Sequence, residues 1–490
     1  MSGANTRYLA AALVLVAVAG AATPVSAAPW ASVGDDQLRA DLTLLNDAGI
    51  AETMVTQWPV PWRGVLSALT DSPTLDAQPD YIRQAIRRVR ARATRETAQG
   101  GRAETLLNGT NRPALIRGFD AEGYGKATIQ ETAEITAGRS DLHVQFGAIA
   151  GQKGQHGVQF DADGSYLAQR FGNVQLYAGE VSHWWGPGWI SALTYSNNAR
   201  PFPQFGISTA GPLRFKTPLL RWIGPFRAEA VVGLLDDSRI ARRTGFNGLR
   251  VTLNPMRGLE IGFARTQIFC GSGHPCKVAD IISLNNNNAN PSKTASEGEF
   301  DLRYGWRWGG VPFEAYTQIF NEDSSPVTHS YSSYLVGGST YLPVGHNTMR
   351  LTAEYTSAIP TLNLFGFGTV GYGITYNDYK YADGMRYRGR DFGFSLDSDS
   401  RLITVQANLT DAFDRNYTLS VHRAFVSRPQ TGAANPLTFT PVTINYAEAR
   451  VATPFRIGVL SIAGRVQDDQ LRPAHGFTAA AEVTFRVKVR

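Results

Sequence analysis

The sequence predicts a mainly-β protein, a large transmembrane antiparallel β-barrel preceded by a small N-terminal α-helical bundle. Three observations carry the prediction. From about residue 112 to the end, apolar and polar residues alternate with the two-residue period of strands. The chain opens on an export leader, yet no later stretch is apolar over the roughly 20 residues that a membrane-crossing helix needs. The composition, with 49 Gly, 24 Phe, 19 Tyr and 9 Trp at a mean hydropathy of −0.20, suits tight turns and aromatic girdles on strands that are apolar on one side only.

In chain order the leader comes first. Arg7 precedes an apolar run from Leu9 to Ala19, and Thr23-Pro24-Val25-Ser26-Ala27 offers small residues for cleavage after Ala27. Residues 1–27 are therefore expected to form a signal peptide, residues 28–110 a helical bundle, and residues 111–490 an outer-membrane barrel. In the bundle, Leu38, Leu42, Leu45 and Ala48 share one face of a helix between Asp35 and Ala48. A second helix starts after Pro61 and covers Trp62 to Leu69. A third, with Pro79 near its start, sets Ile82, Ile86, Val89 and Ala93 on one face and Arg83, Arg87, Arg88, Arg90, Arg92 and Arg95 on the rest. That arginine face suits an anionic polymer, but equally solvent or a polar barrel interior. All three helices are expected to be soluble elements packed on one another.

The strand reading is clearest where Phe300, Leu302, Tyr304, Trp306 and Trp308 alternate with Glu299, Asp301, Arg303, Gly305 and Arg307. The last segment repeats the pattern, with Ala481, Val483, Phe485, Val487 and Val489 against Glu482, Thr484, Arg486, Lys488 and Arg490. Shorter runs fall at Leu142 to Ala148, Val174 to Ala178, Leu249 to Leu253, Leu259 to Phe263, Ile403 to Leu409 and Tyr417 to Val421. Candidate strands between turn signals number roughly 16 to 20, the range of barrels with a sizeable lumen. In such a barrel the apolar face meets lipid, the charged face lines the lumen, and closure pairs every backbone group where water is absent. Long connections belong outside the cell and short ones in the periplasm. Phe269 to Ser296, with the run Asn285-Asn286-Asn287-Asn288, reads as one long external loop. It holds the two cysteines, Cys270 and Cys276. An oxidising export route makes a local disulfide the expectation, with two free thiols as the alternative. A metal site is not expected, because His274 would add only a third ligand.

The formal charge is +6, and removing Arg7 with residues 1–27 leaves +5. That mild excess is compatible with an acidic partner such as lipopolysaccharide or an anionic polysaccharide, and without a basic motif it does not point to nucleic acid. The eight histidines are scattered, and neither a His-Glu-x-x-His helix nor a Gly-x-Ser-x-Gly turn occurs. No catalytic residue or metal is therefore expected.

The densest chemistry lies in Gly179-Glu180-Val181-Ser182-His183-Trp184-Trp185-Gly186-Pro187-Gly188-Trp189 and the following Ser196-Asn197-Asn198-Ala199-Arg200-Pro201-Phe202-Pro203. Tryptophan faces stack on sugar C–H groups, and Asn and Arg donate to hydroxyls and carboxylates, so the cluster suits a glycan. The bland alternative is that the tryptophans anchor an interface girdle or wedge the bundle against the barrel wall. These strings resemble the hallmark of the Wzi-type capsule assembly family of outer-membrane proteins. Two further pieces resemble the same family in the same order: Val33-Gly34-Asp35 to Leu42 with Trp58-Pro59-Val60-Pro61-Trp62, and Tyr381-Ala382-Asp383-Gly384-Met385-Arg386-Tyr387-Arg388-Gly389-Arg390.

The resemblance implies a barrel of about eighteen strands with a periplasm-side bundle, and a lectin-like, non-enzymatic role in attaching or organising capsular or exopolysaccharide at the cell surface. Trp184, Trp185, Trp189, Asn197, Asn198, Arg200, Tyr387, Arg388 and Arg390 are then candidates for binding the polysaccharide or seating the bundle. The implied partners are that polysaccharide, outer-membrane lipid and lipopolysaccharide, and the polysaccharide export machinery. The main alternative is a porin-like diffusion channel, since the same charged lumen would pass small solutes if the bundle left it open. A barrel hydrolase would need a nucleophile and a base within hydrogen-bond reach.

Overall fold

Alternating residues become strands whose polar side is the inner one. The computed structural model describes residues 28–70, 78–152, 157–274, 294–322, 331–362, 368–427, 435–438, 440–468 and 476–489. The expected leader, Cys276 and Asn285 to Asn288 lie outside these residues. Cys270 is disulfide-bonded.

Eighteen antiparallel strands close a barrel. The first five are β1 (Gly100–Thr110), β2 (Ala127–Ala137), β3 (Ser140–Ala150), β4 in two pieces (Val158–Asp161 and Tyr166–Phe171, both paired with β3) and β5 (Val174–Gly179). Next come β6 (Gln204–Thr209, continued by Leu213–Arg214), β7 (Pro225–Leu234), β8 (Gly245–Met256) and β9 (Leu259–Phe269). The far wall holds β10 (Thr294–Trp308), β11 (Val311–Glu322), β12 (Ser332–Val344) and β13 (Asn347–Thr361). The circle ends with β14 (Arg401–Thr410), β15 (Asn416–Val426), β16 (Val442–Phe455), β17 (Gly458–Asp468) and β18 (Phe477–Val489). Closure comes from β18 against β1, with Glu482 opposite Thr110 and Val489 opposite Ala103.

The barrel thus begins at Gly100, ten residues before the division expected from the sequence at 110. The outward positions of β1, Ala103, Thr105, Leu107 and Gly109, include only one large apolar side chain, so the strand shows no clean alternation. Elsewhere the inversion is plain: on β10, Glu299, Asp301 and Arg303 are buried while Tyr304 and Trp308 are exposed. Arg250 on β8 bridges Glu299 and Asp301 at 2.9 Å each, so inward charges are paired across the lumen wall.

Three helices precede the barrel: α1 (Asp36–Asp47), α2 (Trp62–Thr70) and α3 (Asp80–Glu96). Asp35 caps α1, its Oδ1 accepting from the Leu38 amide at 2.9 Å and satisfying one of the orphan N–H groups of the first turn. The bundle expectation holds for the apolar faces, where Leu38, Leu42 and Leu45 share a core with Ile82, Ile86, Val89 and Ala93. The expectation that all three are plain soluble elements needs correcting for α1. Every residue from Leu38 to Asp47 is buried, polar ones included, because the polar face of α1 points at inward barrel side chains. Asp47 and Glu314 both meet Arg303, and Asp36 meets Arg350 at 2.9 Å. Gly305 faces Asp47 so closely that any Cβ there would collide with the carboxylate, which explains a glycine at this inward position.

The arginines of α3 divide between solvent and the bundle. Arg88 donates from Nε and Nη2 to Asp41 at 2.8 and 2.7 Å, and Arg92 pairs with Asp35, while Arg83, Arg87, Arg90 and Arg95 are exposed. The bundle sits at the end of the barrel with the short turns. Tyr81 reaches the Gly310 carbonyl between β10 and β11, Gln84 the His346 carbonyl between β12 and β13, and Arg63 the Gly172 carbonyl between β4 and β5.

Candidate functional site

From the other end, the connections 180–203 and 368–400 fold inward, and residues 189–200 and 391–400 are buried throughout. The first of these carries the tryptophans. Trp184 and Trp185 pair as a short ribbon with Trp58 and Gln57, the piece of chain between α1 and α2. Trp184 donates from Nε1 to the Gly188 carbonyl at 3.0 Å, and Trp189 from Nε1 to Glu314 Oε1 at 2.7 Å. Glu354 of β13 gathers the backbone N–H groups of Trp189 and Ser191 at 2.8 Å each. Arg39 of α1 lies 4.3 Å above the Trp189 ring, donates to the Pro187 carbonyl at 2.8 Å, and Arg350 covers the same ring at 3.6 Å. Trp184, Trp185 and Trp189 are each at most 2% exposed, so their faces meet protein on every side.

The polar string after them is also turned inward. Asn197 donates to the Phe119 carbonyl at 3.0 Å, and Asn198 donates to both the main-chain and side-chain oxygens of Asp391 at 3.0 Å. Arg200 is held by Asp163 at 2.8 Å, both nearly without solvent contact. Asn198 thus ties the 180–203 connection to the hairpin formed by Arg386–Tyr387 against Arg390–Asp391. At that hairpin Tyr387 packs on Phe202 with ring centres 5.6 Å apart, its tip beside Arg388.

Two candidate residues do reach outward. Arg388 is exposed at the hairpin tip, with positive φ, and Arg390 is half-buried beside it. Arg390 lies 6.0 Å from the Tyr124 ring, and Arg117, from the connection between β1 and β2, lies 4.2 Å from the same ring. Arg117 donates to the Glu122 and Gly123 carbonyls, yet its Nε and Nη2 are buried without a partner. Among the described residues, neither Arg117, Arg388 nor Arg390 forms an ion pair with a carboxylate. Burial, and after it the Arg117 charge, lowers the Arg390 guanidinium to about 10. Glu180 stands close by, where burial and then Asp163 push its carboxyl up to about 8. The arrangement offers net positive charge, an aromatic face and unfilled donors at one mouth, which suits an anion carried on a hydroxyl-rich chain.

The candidates therefore separate into a buried set, Trp184, Trp185, Trp189, Asn197, Asn198 and Arg200, and a mouth set, Arg388 and Arg390 with Tyr387 beneath. Arg117, Tyr124 and Asp163 join the site without any mark in the sequence, and Glu180 joins it from the edge of the tryptophan string. They sit on three separate connections, and only barrel closure brings those connections together.

A family model described as capsule assembly protein Wzi matches residues 96–470. A Klebsiella pneumoniae relative, described as an uncharacterized 55.8 kDa protein in the cps region, is 25% identical over 315 residues, 62% of this chain. The match spans 60% of that relative's own length. The solved structure of Wzi from Escherichia coli, described as an outer-membrane carbohydrate-binding β-barrel involved in group 1 capsule assembly, superposes with a TM-score of 0.80 at 20% identity, covering 93% of this chain and 98% of that one. At that identity the likeness establishes the shared fold.

Proposed function

This chain belongs to the Wzi capsule assembly family, and from that premise we propose that it binds capsular or exopolysaccharide at the long-connection mouth and helps hold it on the cell surface. It is an outer-membrane barrel, apolar outside and charged inside. In this reading the short turns and the helical bundle lie on the periplasmic side, the buried tryptophans seat the bundle, and the arginine mouth faces out of the cell. The barrel does no chemistry on the polymer and needs no cofactor. Lipopolysaccharide and outer-membrane lipid surround it, and the export machinery delivers the chain that it captures.

The observation that carries the proposal is the mouth itself, where Arg117 and Arg390 flank the Tyr124 ring and Arg388 lies over Tyr387, none of the three in an ion pair with a carboxylate among the described residues. A repeating acidic polymer would engage such a site many times over a cell surface, so weak single contacts add up to retention. The test replaces Arg388 and Arg390 by Ala and first checks that the folded barrel still inserts. A charge-assisted hydrogen bond contributes about 1.5–3 kcal/mol, so binding of the purified surface polysaccharide should weaken by roughly tenfold or more. Cell-bound polysaccharide should fall and released polysaccharide rise. Unchanged retention with an intact barrel would remove the proposal.

A further inference from the structure

The connection from β6 to β7 breaks the pattern of short turns at the bundle end. Residues 210–224 return to the wall at Leu213–Arg214 and then form a two-turn 3₁₀ helix, Pro218–Ile223, none of whose residues is buried. Leu219 is 81% and Trp222 69% exposed, which is unusual for large apolar side chains in contact with water alone. The connection lies on the outer side of the wall. Phe215 stacks on Phe226 of β7 at 4.6 Å and 16°, and Phe226 points to the lipid face because its neighbour Arg227 is buried inside. Gly224 locks the segment there: its positive φ and its approach to the Asn254 carbonyl of β8 leave no room for a Cβ.

The charge of the segment is one-sided. It carries Arg214, Lys216 and Arg221 and no acidic residue, and all three cations are exposed. The carboxylate of Glu52 comes within 3.9 Å of Arg214. Apolar side chains with an interfacial tryptophan, flanked by cations, match the boundary between acyl chains and phosphate headgroups. We propose that residues 210–224 are an interfacial anchor that rests on the membrane leaflet at the bundle end, with Phe215, Leu219 and Trp222 among the acyl chains and Lys216 and Arg221 at the phosphates of anionic phospholipids. The anchor fixes the depth and rotation of the barrel at the base of the wall, independently of any glycan at the opposite mouth.

The test uses the full chain reconstituted in phosphatidylcholine vesicles with and without phosphatidylglycerol. Emission from Trp222 is isolated as the difference between wild type and Trp222→Phe. Phospholipids brominated near the headgroup should quench that difference, and iodide in the water should not. In detergent, a Lys216→Gln, Arg221→Gln variant should bind added phosphatidylglycerol more weakly by about fivefold per charge removed, while phosphatidylcholine binding stays unchanged. Both positions are exposed, and the heat-induced gel shift of the folded barrel confirms that the variant is intact. Quenching of Trp222 by iodide, failure of brominated lipid to quench it, or equal phosphatidylglycerol affinity of variant and wild type would each overturn the anchor.

Discussion

Glu180, just beyond the end of β5, shows how one half-buried carboxyl sets the charge of the mouth. Because its pKa is raised to about 8, it is neutral near pH 7 and adds no negative charge beside Arg388 and Arg200. An acid raised above its unfolded value contributes stability that is fully present below the unfolded pKa of 4.5 and is lost as pH climbs through the folded one at about 8, the same rise that charges this corner. An anionic polysaccharide should therefore bind less tightly as pH rises from 7 to 9, by roughly three- to tenfold for a repulsion on the order of 1 kcal/mol. Glu180→Gln should flatten the profile in calorimetric titrations. A variant that keeps the full pH dependence would show that another group is responsible.

At the scale of elements, α1 and the 180–203 connection act as one unit inside the barrel. Trp189 is where they meet the wall, through Glu314, Glu354, Arg39 and Arg350. Trp189→Ala leaves a cavity and an unpaired carboxylate oxygen, a loss of about 3–5 kcal/mol for a buried large-to-small change. Since barrel closure does not depend on this ring, the damage should be local. Limited proteolysis in detergent should cut the chain near α1 faster in the variant, while the folded barrel keeps its heat-induced gel shift. Equal protection of α1 would mean that Trp189 does not seat the bundle. Among the elements, β10 and α3 were legible from periodicity alone, whereas β1 was not, because small and polar residues fall on both of its faces and its two leucines, Leu106 and Leu107, point to opposite sides.

For the whole molecule, the decisive property is a lumen filled from both ends. The bundle enters at the short-turn end, and the connections 180–203 and 368–400 enter from the other, meeting around Trp58, Phe119 and Trp184. The diffusion-channel reading requires a wet path through this packing. Purified protein in planar bilayers should show no stable open level. A double Asp47→Ala, Arg303→Ala variant, which removes a buried ion pair between α1 and the wall, should show intermittent conductance. Steady porin-like conductance from the wild type would reverse the reading of a sealed barrel.

By itself the sequence determined what depends on local period and composition: strands with one apolar face, three amphipathic helices, and a family hallmark in Trp184 to Arg200 and Tyr381 to Arg390. Alternation at Phe300 to Trp308 reports which residues share a face, because strand geometry places every second side chain on the same side. It does not report what covers the polar face. Only the tertiary structure decided that the polar side of α1 is buried against Arg303 and Arg350, and that the aromatic and amide candidates are spent on holding the interior together. It also decided that Arg117 and Tyr124 join Arg388 and Arg390 at the mouth. Those contacts span most of the chain length, and nothing in local periodicity encodes a meeting that exists only once eighteen strands have closed into a ring.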